Sequence, residues 1–298
     1  MSQSRWVSFH LFRTDRLNDF LLAAVAPFVA EVSAERLASS FFFIRYHEGG
    51  PHVRLRFLTR SHDALVRRTH AYFHAYFEEH PSTVAPRSST PTTFVNDSVL
   101  ESRYEPELQR YGGPKRIGIS ERHFEASSRA VLGAIAERRG TYESAIGTAI
   151  QLHLIFAHAL GFASMDAARF FDSVLKQFAA APAWLPGVLS ADEAMERFAE
   201  SFERQRDSLV TLHQTIWSAL EEGQEFEQAW ANRWLADNVT TARQLRRARG
   251  LKPKEPLTSA DCAILASYFH MTNNRLGLLN GDEAYVGYLL MRGLQECA

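Results

Sequence analysis

Apolar and polar residues alternate along WVSFHLF (6–12) and HVRLRFL (52–58), which is the period of a half-buried strand. The aromatic-rich SFFFIRY (40–46) reads as a third strand, joined to the next by HEGGP, a plausible hairpin turn. Between the first two strands, TDRLNDFLLAAVAPFVAEV (14–32) has helical spacing, with Thr14 or Asp15 as its cap. SHDALVRRTHAYFHAYFEEH (61–80) is an amphipathic helix capped by Ser61, and PSTVAPRSSTP (81–91) has the composition of a loop. TTFVNDSVLESRY (92–104) supplies one or two further strands. The order β-α-β-β-α-β predicts a ferredoxin-like sheet with helices on one face.

From residue 119 the pattern is helix after helix. SERHFEASSRAVLGAIAERR comes first, then YESAIGTAIQLHLIFAHALG, which is apolar nearly all round and therefore buried. DAARFFDSVLKQFAA follows, then SADEAMERFAESFERQRDSLVTLHQTIWSALEEG, opened by a capping box from Ser190 to Glu193. FEQAWANRWLADNVTTARQLRRARG ends at Gly250 after a basic last turn, as a helix C-terminus favours. LKPKEP is a short linker; a second box, Thr258 to Asp261, opens TSADCAILASYFHMTNNRLGLLN, and residues 282–296 form the last helix. The fold class is α+β: a ferredoxin-like (βαββαβ) N-terminal lobe over residues 1–118 and a mostly helical C-terminal lobe over 119–298. The expected arrangement is one functional unit with its active site between the lobes.

Composition narrows the function. The chain has 298 residues, 46% hydrophobic and 22% charged, with a formal net charge of −1. That is a soluble globular composition without a global basic field for nucleic acid or an anionic membrane. Cys262 and Cys297 form neither a disulfide framework nor a metal-binding pattern. The N-terminus has no signal-peptide core, and FLLAAVAPFVAEV is short for a membrane span and contains Pro27. A cytoplasmic location is expected. There are no repeats, no Gly-rich phosphate loop, no metal-ligand cluster and no Gly-x-Ser-x-Gly elbow.

The candidate chemistry is arginine and histidine. On HVRLRF the alternation puts His52, Arg54 and Arg56 opposite Val53, Leu55 and Phe57. The basic face is either a solvated, salt-bridged surface or an anion site with two parallel guanidinium forks. In SRYEPELQRYGGPKR, Glu107 and Arg110 are three residues apart, placed on one face if the segment makes a helical turn. They form either a local ion pair or a carboxylate that positions a substrate-binding arginine. In YFHMTNNRLGLLN, His270 and Asn274 share a helix face beside an apolar stripe of Leu265, Phe269, Leu276 and Leu279. His270 is either a structural histidine or a functional one, and a polar HMTNNR run inside an apolar helix needs partners. Trp6, Ser8, His10 and Phe12 share one strand face, which reads as packing, with His10 a weak candidate. The set points to carboxylate or enolate chemistry without a cofactor or a metal.

FFFIRYHEGGPHVRLRF, YEPELQRYGG and HMTNNRLG, in this order and at these separations, resemble the elimination domain of class I lanthipeptide dehydratases. The same domain occurs alone as the small subunit of split dehydratases in thiopeptide-type pathways. The resemblance spans essentially the whole chain. It implies removal of glutamate from glutamylated Ser or Thr of a precursor peptide, leaving dehydroalanine or dehydrobutyrine. It carries active-site roles to Arg54, Arg56, Arg110, Glu107 and His270, around which His52, Arg45, Asn274 and Arg275 are expected substrate contacts. The implied partners are the precursor peptide and a tRNA-dependent glutamylating enzyme. Direct nucleic-acid or membrane binding is not expected, and homodimer formation is left open. Two alternatives remain: a thiopeptide pyridine synthase, which resembles the same domain, and a non-catalytic peptide-binding subunit.

Overall fold

The computed structural model describes residues 3–83, 94–137, 142–179, 190–252, 255 and 259–297. They fall into two compact units. Met1–Leu108 with Ser127–Glu137 form the first, and Gln109–Ala126 with Arg138–Ala298 the second.

In the first unit β1 (Arg5–Phe12), β2 (Ser40–Tyr46), β3 (His52–Thr59) and β4 (Ser98–Ser102) form an antiparallel sheet in the order β2-β3-β1-β4. This is the ferredoxin-like topology, and it makes the unit α+β. The register pairs Val7 with Phe57, Phe9 with Leu55 and Leu11 with Val53. All six are buried, at about 1.5–3 kcal/mol per fully buried large apolar side chain. Phe28 packs edge-on against Phe57 at 5.8 Å and against Phe73 at 5.0 Å. Phe28 lies in α2 (Ala26–Ala34) and Phe73 in α3 (His62–Glu79), so both helices cover this face. The edge N–H of Phe43 donates to Ser128 Oγ at 3.1 Å, which occupies a backbone donor on an edge strand.

Local details differ from the sequence reading. Over 92–104 the described residues hold one strand, β4, and residues 84–93, most of the PSTVAPRSSTP segment, lie outside the described residues. The first helix starts at α1 (Leu17–Phe20), with Arg16 at its cap. Asp15 binds Arg13 at 2.7 Å instead. Arg13 is buried and also donates to Asp97 at 2.9 Å, and an enclosed guanidinium holds carboxylates more strongly than a helix end does. Ser61 stands at the α3 cap without a hydroxyl bond to the helix. The helical run is shifted toward the C-terminus of the expected 14–32 and ends at Ala34. α1 continues through a π turn (Leu21–Val25) into α2, making 18 residues of mean hydropathy 1.4. By length and composition alone this could cross a membrane, but Phe20, Leu21, Ala24, Val25, Phe28 and Val32 are buried in the core of the unit.

The second unit is helical. α4 (Ile117–Glu137) has residues in both units and is followed by α5 (Tyr142–Ala159), α6 (Ser164–Ala179), α7 (Ala191–Arg204), α8 (Arg206–Glu221), α9 (Ala229–Arg249), α10 (Ser259–Leu276) and α11 (Asn280–Glu296). α5 is buried as its all-apolar pattern requires: Leu152, Leu154 and Ile155 are fully enclosed. Ser190 Oγ accepts the Glu193 N–H at 3.1 Å, the expected start of α7. The stretch after it is two helices, because the chain leaves helical geometry at Gln205. The polar run Glu203–Asp207 has no apolar side chain to anchor that turn. α9 stops at Gly250, in the left-handed region at φ 72°, as expected. Thr258 of the second expected box lies outside the described residues.

The second unit buries His153 and His213, and enclosure pushes each from the ordinary 6.5 to about 4. Their folded pKa lies below the unfolded one. The unfolded chain therefore binds more protons between the two values, and stability falls as pH drops from 6.5 toward 4. Each adds a slope of up to about 1.4 kcal/mol per pH unit. Urea midpoints should be flat from pH 8 to 7 and fall steeply by pH 5. A flat midpoint down to pH 5 would contradict the buried neutral state.

Candidate active site

The outer sheet face carries the first cluster. Residues paired across an antiparallel ladder share a face, and β3 pairs His52, Arg54 and Arg56 with Phe12, His10 and Ser8 of β1 and with Tyr46, Ile44 and Phe42 of β2. Arg54 lies 3.5 Å above the Tyr46 ring and 3.8 Å from Glu48. Arg56 lies over Tyr104 at 4.9 Å and Phe42 at 5.2 Å. Stacking on aromatic rings holds planar guanidiniums in one orientation.

The hairpin turn orients His52. Gly49 and Gly50 take φ 76° and 129°, which side-chain-bearing residues rarely adopt. The Gly50 carbonyl then accepts His52 Nδ1–H at 2.8 Å, while Arg54 Nε donates to His52 Nε2 at 3.2 Å. That pairing needs a neutral ring. Burial, and then Arg54 beside it, lower the His52 pKa to about 4. His10 stacks on His52 at 4.9 Å and is likewise lowered to about 4, by burial first and then by Arg54. The face is therefore a guanidinium pair flanked by uncharged imidazoles, suited to carboxylate or enolate oxygens.

The second cluster lies on α10, α11 and the segment before α4. The half-exposed stripe of α10 includes His270 and Asn274, at i and i+4, with the buried Ser267 one turn before His270. α10 ends at Gly277, φ 87°, whose N–H bonds Asn273 O at 3.0 Å. The chain turns back into α11, and Glu283 meets His270. His270 Nδ1 lies 2.9 Å from both carboxylate oxygens of Glu283. Glu283 is only 1% exposed, and burial raises its pKa against the opposing pull of His270 and Arg110. A carboxylate on Nδ1 fixes the tautomer and leaves the Nε2 lone pair for proton transfer. Phe178 stacks on the His270 ring at 5.8 Å. Arg110 donates to Ser267 Oγ at 3.0 Å, and Ser267 donates to Ala263 O at 3.1 Å. Buried Tyr111, edge-on to Phe124 at 5.0 Å, anchors the segment that presents Arg110.

Thus His52, Arg54 and Arg56 are together in the first unit, and Arg110 and His270 are in the second. Glu107 is exposed in the first unit and Arg110 exposed in the second. The chain is irregular through 103–107, with Pro106 inside it, then makes a turn over 108–112 that runs into Gly112 and Gly113 at φ 80° and 88°. Asn274 shares the His270 stripe. Arg275 is fully buried, donating to Met271 O at 2.7 Å and lying 5.4 Å over Phe124. Arg45 pairs in register with Val53 on the core face and donates to Asn18 at 2.5 Å. Burial lowers its pKa to about 10. Leu279 is 66% exposed, beyond the end of α10, and is no part of the apolar stripe.

Sequence reasoning missed Glu283 and Ser267. The signal for Glu283 was its phase: it shares a buried stripe with Val286, Leu290 and Leu294, and a carboxylate there requires a partner.

Comparison with known proteins places this geometry in context. The family described as "Lantibiotic biosynthesis dehydratase C-term" matches residues 6–294. Among solved structures the chain is similar to the pyridine synthase TbtD from thiomuracin biosynthesis, with TM-score 0.76, 19% identity and 98% of each chain covered. It is similar to TsrL, with TM-score 0.70, 20% identity, and 99% of this chain and 95% of that one covered. It is also similar to the tRNA-dependent lantibiotic dehydratase MibB from Microbispora sp. 107891, with TM-score 0.65 and 20% identity. There 98% of this chain aligns with 28% of that protein. No match was found among curated proteins.

Proposed function

Because this chain belongs to the lantibiotic biosynthesis dehydratase C-terminal family, we propose that it eliminates glutamate from glutamylated Ser or Thr of a ribosomally made precursor peptide. The observation that carries this reading is the His270–Glu283 pair, an imidazole whose Nδ1 is held by a buried carboxylate. His270 Nε2 takes the α-proton of the esterified residue. The electron pair becomes the Cα=Cβ bond, the Cβ–O bond breaks, and glutamate leaves as a carboxylate. Arg54 and Arg56 bind the enolate and carboxylate oxygens, and Arg110, tied to Ser267, supplies a further guanidinium.

The chain aligns with 28% of MibB, and in this reading the glutamyl ester is made by tRNA-dependent glutamylation. The reaction belongs in the cytoplasm, where aminoacyl-tRNA is made. A second reading, pyridine formation, is favoured by the match to TbtD over 98% of both chains.

The test is incubation with a chemically glutamylated precursor, followed by mass. Loss of glutamate with a dehydrated product supports elimination. Conversion of a multiply dehydrated peptide to a macrocycle supports the second reading, and binding without conversion overturns both. In the same assay Arg54→Lys and Arg56→Lys should each lower kcat/KM about 10–100-fold, because lysine keeps the charge and loses the fork. Unchanged kcat/KM in both would remove the anion role.

A further inference from the structure

One feature of the second unit takes no part in that chemistry. Between Asp237 and Glu255 the chain carries Arg243, Arg246, Arg247, Arg249, Lys252 and Lys254 and no acidic residue. In a chain of net charge −1 this is a locally positive stretch of sequence. Val239, Ala242, Arg243, Arg246, Arg247 and Gly250 follow the i, i+3, i+4 spacing of one helix face. The same six, with Ala159 and Leu251, line a cavity of about 440 Å³.

The arginines divide into two kinds. Arg246 is engaged: its Nη2 donates to Leu160 O and its Nε to Glu255 O at 3.3 Å. Arg249 lies 3.3 Å from Asp261. Arg243 and Arg247 are exposed, and among the described residues their guanidiniums have no hydrogen-bond or ionic partner. They stand at i and i+4, where like charges on a helix repel. The helix dipole favours cations within the last turn only, so it accounts for Arg247 and not for Arg243. Val239 adds an apolar edge that is 39% exposed.

We propose that this face of α9 binds an acidic peptide segment, with an apolar side chain in the cavity against Val239, Ala242 and Leu251 and carboxylates on Arg243 and Arg247. The apolar floor favours a peptide over a nucleic-acid backbone, which presents phosphates without an apolar side chain between them. This assignment stands apart from the glutamate-elimination reading and survives its failure.

The probe is fluorescein-labelled Asp-Leu-Glu-Leu-Asp-Leu, titrated with the full chain and read by anisotropy. Its Asn/Gln counterpart and a six-nucleotide RNA are the controls. The acidic peptide should bind at least about tenfold more tightly than the amide peptide, and less tightly as salt rises. Arg243→Glu with Arg247→Glu should weaken it by about tenfold or more with an unchanged circular dichroism spectrum. Val239→Glu, a surface change that keeps both arginines, should weaken it as well. Equal binding of the acidic and amide peptides, preference for the RNA, or full affinity in the charge-reversed variant would each overturn the assignment.

Discussion

His270→Ala leaves glutamylated peptide accumulating, with kcat reduced about 10²–10⁴-fold, the range that a positioned general base contributes. The imidazole is half-exposed on α10, so its removal leaves the apolar stripe of Leu265, Phe269 and Leu276 in place. Removal does strand Glu283, which is buried and loses a partner that favours its charged form. That carboxyl then titrates higher, and the variant remains folded with a protonated Glu283. Rapid quench with mass detection separates the outcomes. Accumulated glutamyl ester with normal peptide binding supports the base. A normal dehydration rate removes His270 from the reaction.

Glu283→Gln tests the other half of the pair and is expected to cost nearly as much. The carboxylate only accepts, so His270 Nδ1 must carry the proton and Nε2 the lone pair. An amide can donate to Nδ1 instead, which turns the ring into the tautomer that cannot take a proton at Nε2. A wrong tautomer with intact geometry costs up to about 10⁴ in kcat in a comparable carboxylate–histidine pair. The loss should appear in kcat with KM little changed, and the pH–rate profile should shift. Glu283→Asp should restore part of the rate. If the Gln variant retains wild-type kcat and profile, Glu283 is only a packing residue.

The residues that were legible in the sequence are those whose signal is local. Strict alternation along HVRLRF fixed which face holds Arg54 and Arg56, and the observed register agrees at every position. Gly250 and Ser190 mark helix ends through their own backbone and hydroxyl, so they too could be read directly. Arg45 follows the apolar run Phe41–Ile44, which has no alternation, and only pairing with Val53 reveals that it faces the core. Arg275 is one residue from Asn274 but some 100° round the helix, which separates a half-exposed amide from a fully enclosed guanidinium. Glu283 is thirteen residues from His270, beyond a helix end. Their contact depends on the turn at Gly277 and on how α11 returns, which no local pattern encodes.

The central claim is that this chain alone releases glutamate through an imidazole base. The most direct measurement uses a chemically glutamylated peptide deuterated at the Cα of the esterified residue, with no tRNA, ATP or partner enzyme. Free glutamate and peptide mass are quantified in the same reaction. The expected result is one glutamate per dehydro residue formed, loss of the deuterium to solvent, and a slower rate than with the protiated peptide. An unchanged glutamylated peptide, beside a multiply dehydrated peptide converted to a macrocycle under the same conditions, would contradict it.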